Sequence, residues 1–178
     1  ATTRPATSDR RSTDRAGITV PVPETSTGRG PTSIGSTTTR ERWDESGSHN
    51  HPMFGGGLVW FYRNLAGMQA DPEQPGYRHI IFKPAPSSLA EKVAYIRDTP
   101  YGKGGISWKV REGSFHMEVT VPVSCSATVY VPARDPGDVS EGGMMASEIP
   151  GISFVRMEDG YAVFSVGSGK YDFGSARN

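Results

Sequence analysis

The stretch GISWKVREGSFHMEVTVPVSCSATVYVPA, residues 105–133, decides the fold. Trp108 alternates with Ile106 and Val110, the period-two pattern of a strand with one buried face. That spacing predicts an inward position for Trp108. Arg111-Glu112-Gly113 then interrupts the pattern, and SFHMEVTVPV resumes it. A glycine between two strand patterns predicts a hairpin. Cys125 follows between two strand-like runs, where a small buried or turn residue is expected. ATVYVPA is a third short strand.

Working outward, the same rhythm persists. GYRHIIFKP (76–84) alternates and stops at a proline, and EKVAYIRD (91–98) precedes a predicted turn at Tyr101-Gly102. His79 and His116 fall within strands and are expected on sheet surfaces. ARDPGDVSEGGMMASEIPG (133–151) is rich in turn formers and is predicted to be a long loop. SFVRMEDGYAVFSVGSGKYDF (153–173) predicts two or three closing strands, with Asp159-Gly160 as a hairpin turn. Short strands at regular spacing predict a mainly β chain. Its body is a carboxy-terminal antiparallel β-sandwich, jelly-roll-like, over residues 75–178.

Residues 37–70 differ. Asn50 or His51 can cap a helix, and Pro52 suits its first turn. Phe54, Leu58, Phe61 and Leu65 then recur at helical spacing, which predicts one helix from about Pro52 to Met68. Trp60 is expected in the core, and Gly67 as the left-handed cap. Gly55, Gly56 and Gly57 either let the helix approach another backbone or a ligand closely, the reading preferred here, or mark a loop before a later helix start. Residues 1–36 contain no aromatic residue and few large aliphatics, too little to offset the entropy of ordering. A disordered or extended arm is expected there.

Composition narrows the function. Lysine plus arginine equals aspartate plus glutamate at 19 each, so no net field favours nucleic acid or an anionic membrane. No apolar run approaches a membrane span, and the opening ATTRPATSDRR lacks the apolar stretch of a signal peptide. These observations leave the compartment open. A single cysteine excludes an intrachain disulfide and a cysteine-based zinc site. His49 and His51 flank one asparagine, but no third ligand stands out, and no metal or cofactor is expected.

TTTRERWDESGSHNHPMFGGGLVWFYRNLAGM (37–68), PGYRHIIFKP, TPYGKGGISWKV and VTVPVSCSATVYVPA occur in that order. Together they resemble the carboxy-terminal end of bacterial α-L-rhamnosidases, glycoside hydrolase family 78, over residues 37–173. The resemblance implies the end of an (α/α)6 catalytic barrel over 37–70, then a carboxy-terminal sandwich. It implies hydrolysis of terminal α-L-rhamnosides with inversion of configuration. By the same resemblance Glu41 is the general base, His51 contacts the rhamnose hydroxyls, and Trp43 lies close by. Arg40 stands where the family's T-T-x-W-E-x-W pattern has its first tryptophan.

An inverting pair needs an acid as well as a base, and no match to the family's general acid occurs in this chain. The chain alone is therefore expected to be inactive or nearly so. Its partners would be a rhamnose-containing glycan and the upstream barrel portion of a parent enzyme. The alternative is a non-catalytic β-sandwich module that binds carbohydrate or braces a partner domain. A helix deprived of barrel neighbours would also leave an apolar stripe, which predicts association or a mobile amino-terminal third.

Overall fold

The computed structural model describes residues 56–88 and 90–176. The expected arm (1–36) and the segment holding Glu41, Trp43 and His51 lie outside the described residues.

Among the described residues, eleven strands form two sheets. They are β1 Met68–Ala70, β2 His79–Phe82, β3 Lys92–Thr99, β4 Gly102–Arg111, β5 Ser114–Val121 and β6 Ser126–Pro132. β7 Val139–Glu141, β8 Met144–Met145, β9 Ile152–Glu158, β10 Tyr161–Val166 and β11 Gly169–Ala176 follow. The first sheet runs β1-β2-β6-β10-β9, and the second runs β3-β4-β5-β11-β7-β8. The chain is mainly β, as its periodicity predicts. One pairing departs from a purely antiparallel sandwich: β2 runs parallel to β6, with His79 opposite Ser126 and Phe82 opposite Val129.

The inner rows make the core. Ile80, Phe82, Val129, Ala162 and Phe164 of the first sheet are fully buried. Phe115, Met117 and Phe173 meet them from the second. Phe164 stacks on Phe173 across the two sheets, with ring centroids 5.9 Å apart. Burying a side chain of this size stabilises by roughly 1.5–3 kcal/mol. Trp108 is 2% exposed, inward as its alternation predicts.

Both predicted hairpins form with consecutive residues at positive φ. Glu112 and Gly113 have φ of 48° and 76°, and Asp159 and Gly160 have 50° and 80°. Two such residues give the turn whose twist matches the flanking strands. Tyr101 lies in the β3–β4 turn, where Thr99 Oγ1 donates to the Gly102 carbonyl at 2.7 Å. The long loop expected over 133–151 is more ordered than its composition suggests. It contains β7, β8 and two short 3-10 turns, Pro136–Asp138 and Ala146–Glu148. Strands of two or three residues are too short to show a period.

The predicted helix ends before Met68, and its first residues, 52–55, lie outside the described residues. An α-helical segment, α1, spans Gly56–Trp60 and passes into a π-helical turn over Phe61–Leu65. Met68 begins β1 rather than ending the helix. Ala66 N–H donates to the Phe61 carbonyl at 2.8 Å and Gly67 N–H to that of Tyr62 at 3.2 Å, each five residues back. The wider turn rotates later side chains away from the 3.6-residue register. Leu65 is buried, whereas Leu58 and Trp60 are 54% and 46% exposed, and Phe61 is also exposed. The expectation of a core Trp60 is thereby corrected. At Gly57, the one member of the glycine run so described, a Cβ would meet nothing within 4 Å among the described residues. The close approach falls at Gly67 instead, at φ +88°, where a Cβ would lie 2.3 Å from the Pro84 nitrogen.

Candidate functional site

The helical turn matters because it links the segment 41–51 to the sandwich. A helix leaves its last carbonyls without intrahelical partners. Here each finds one. The Arg63 carbonyl accepts from Gln69 Nε2 at 2.9 Å, and that of Asn64 accepts from Ala85 N–H at 3.1 Å. The Leu65 carbonyl accepts from the buried Trp108 Nε1–H at 2.9 Å, and that of Gly67 accepts from Lys83 N–H at 2.7 Å. Tyr62 stacks on Tyr95 of β3, centroids 5.3 Å apart and 12° from parallel. Arg97 lies over the Tyr77 ring at 4.9 Å and donates to the Tyr95 hydroxyl at 3.4 Å. The turn is thus joined to both sheets.

A second cluster lies on the outer face of the first sheet. Lys83 Nζ sits 4.7 Å from the Tyr130 ring centroid and 5.6 Å from that of Tyr161. It also pairs with Glu158 at 3.5 Å. Arg156 donates through Nε to Glu158 at 2.7 Å and through Nη2 to the Tyr130 hydroxyl at 3.1 Å. The hydrogen bond from Arg156 holds the Glu158 carboxyl below the usual range, aided by Lys83. Sequence reasoning missed this cluster. Its only signal was Arg156 and Glu158 two apart on one strand, and it becomes visible once β10 is known to lie between β9 and β6.

Other residues singled out by sequence play structural parts. His79 bridges Ser126 Oγ and Thr128 Oγ1 at 2.7 and 2.9 Å, half-buried on the sheet surface. His116 is exposed on β5. Cys125 is buried, and burial pushes its thiol up, the wrong direction for a nucleophile. Among the described residues no group of three His, Cys, Asp or Glu side chains could hold a metal ion. No described helix is long and apolar enough to cross a membrane.

Residues 67–146 match the model of the bacterial alpha-L-rhamnosidase C-terminal domain. The sandwich continues beyond that match through β9, β10 and β11. The alpha-L-rhamnosidase of Streptomyces avermitilis is 34% identical over 154 residues, covering 80% of this chain and 14% of that protein. That of Formosa agariphila is 29% identical over 109 residues, covering 55% of this chain and 12% of that protein. Among solved structures, the Streptomyces avermitilis enzyme complexed with L-rhamnose superposes with a TM-score of 0.69 at 34% identity, over 81% of this chain and 14% of the other. The enzyme from Dictyoglumus thermophilum gives 0.70 at 34% identity, over 83% and 17%. The chain therefore spans well under a fifth of the length of these relatives. Over residues 67–146, this chain carries a bacterial alpha-L-rhamnosidase C-terminal domain.

Proposed function

We propose that this chain is the carboxy-terminal part of an α-L-rhamnosidase that hydrolyses terminal α-L-rhamnosides with inversion. Glu41 is its general base, activating water on the ring face opposite the leaving group. His51 contacts the sugar hydroxyls, and Trp43 lies beside them. The general acid comes from the upstream portion, at the ~6.5–9.5 Å separation that leaves room for water. One observation carries this reading. A match over 80% of a 178-residue chain cannot avoid residues 41–51 wherever it lies, so the likeness to an alpha-L-rhamnosidase includes that segment.

The sandwich then acts as a brace. The helical turn downstream of His51 has its last carbonyls held by Ala85 and Trp108, and the Gly67 carbonyl just beyond it is held by Lys83. The test uses p-nitrophenyl-α-L-rhamnoside. The isolated chain should release no nitrophenol above background. In the full-length protein Glu41→Gln should lower kcat by about 10²-fold or more, and NMR of the fresh product should show the inverted anomer. Release by the isolated chain, abolished by Glu41→Gln, would sink the shared-site reading. Wild-type-like turnover of the full-length Glu41→Gln enzyme would sink the assignment of the base.

A further inference from the structure

At one end of the sandwich lies a groove of about 580 Å³. That volume is in the range of small-ligand sites, roughly 300–1,000 Å³. Pro132, Met157 and Tyr161 contribute its apolar lining. Arg134, Glu158 and Asp159 supply its charged groups. Three hydrogen bonds fix the surrounding backbone before any ligand arrives. Ala133 N–H donates to the Gly160 carbonyl at 3.0 Å, tying the β9–β10 turn to the end of β6. Ser175 Oγ donates to the Pro132 carbonyl at 2.6 Å, and the Tyr161 hydroxyl to that of Pro84 at 2.8 Å. The carboxylate of Glu158 is itself held by Arg156 and Lys83.

We infer that this groove binds a neutral saccharide unit. The weaker, C–H-bearing face of a sugar ring matches the Tyr161, Pro132 and Met157 surface. Its hydroxyls can donate to the carboxylates of Glu158 and Asp159 and accept from Arg134. Arg156 and Lys83 already pair with Glu158, and Lys83 also reaches Asp159 at 3.9 Å, so most of the charge around the groove is matched internally, which favours a neutral ligand over an ion of either sign. A polyhydroxylated neutral ligand fits this mixture of donors and acceptors. The site goes beyond the hydrolytic reading, because Glu41, Trp43 and His51 play no part in it.

The test is a ¹H–¹⁵N titration of the 178-residue chain with L-rhamnose, D-galactose and D-glucose separately. Saturable shifts confined to amides around Ala133–Arg134 and Glu158–Tyr161, with a Kd in the millimolar range, are expected for at least one sugar. Arg134→Ala, an exposed change, should weaken that binding about fivefold or more. Tyr161→Leu should abolish it while the thermal transition stays cooperative. Absence of saturable shifts up to about 100 mM for all three sugars would overturn the inference. So would saturable shifts that map elsewhere, or an unchanged Kd in Arg134→Ala. Catalytic failure of Glu41 would leave these outcomes untouched, so the two readings fail separately.

Discussion

Two tryptophans in this chain offer a sharp comparison. Trp108 is 2% exposed and donates from Nε1 to the Leu65 carbonyl at 2.9 Å, and Leu65 is itself 2% exposed. Trp60 is 46% exposed on the helix. Replacing each with phenylalanine removes one indole N–H and part of one ring. At Trp108 the change leaves a buried carbonyl without its partner, which costs about 1–3 kcal/mol. The smaller ring adds a cavity beside Phe115, at about 1 kcal/mol or more. The sum is about 2–4 kcal/mol. At Trp60 the same change should fall within about 0.5 kcal/mol. Urea unfolding followed by far-UV circular dichroism gives both numbers, with m unchanged if only stability moves. Hydrogen exchange adds location: amides of Ala66, Gly67, Lys83 and Ala85 should lose protection in Trp108→Phe and keep it in Trp60→Phe. Equal destabilisation by the two variants, or unchanged protection of these four amides in Trp108→Phe, would refute the claim that the sandwich holds the helical turn.

Other outcomes follow from local geometry. Gly67→Ala places a methyl 2.3 Å from the Pro84 nitrogen at φ +88°, and should destabilise by about 3 kcal/mol or more in the same unfolding assay. Glu158 is held below its ordinary carboxylate range chiefly by Arg156, so its contribution is present above the unfolded pKa and is lost as pH falls through the folded value. A carboxyl-carbon NMR titration should show Glu158 titrating below a free glutamate, and Arg156→Leu should move it upward. No change in that midpoint would count against the pairing.

Where the sequence could be read, a local cause was at work. The turns at Glu112-Gly113 and Asp159-Gly160 announce themselves because positive φ is costly for most residues. Trp108 is inward because its neighbours at two-residue spacing are apolar. The misreadings have physical reasons too. The size and apolarity of Trp60 predict burial, but it lies outside the Leu58-Phe61-Leu65 row and stands 46% exposed at the end of α1. β7 and β8 are too short to alternate. The parallel pairing of His79 with Ser126 joins residues 47 apart, and no local pattern encodes it. For the same reason the Lys83–Arg156–Glu158 cluster and the groove beside it were invisible. The roles of Glu41, Trp43 and His51 come from resemblance, since a carboxylate beside two arginines has no chemistry legible from spacing alone.

The position of β11 has a consequence for how the domain is made. It lies between β5 and β7, with eight residues registered against β5 and three against β7. A ribosome delivers β5 and β7 well before it delivers β11, so the second sheet waits in two unjoined pieces. Phe173 cannot stack on Phe164 until then. The helical turn leans on Trp108 of that same sheet, so its support is complete only once β11 has joined the two pieces. Nascent chains stalled before Gly169 should therefore be the ones that quality-control proteases recognise, whatever the state of the residues upstream.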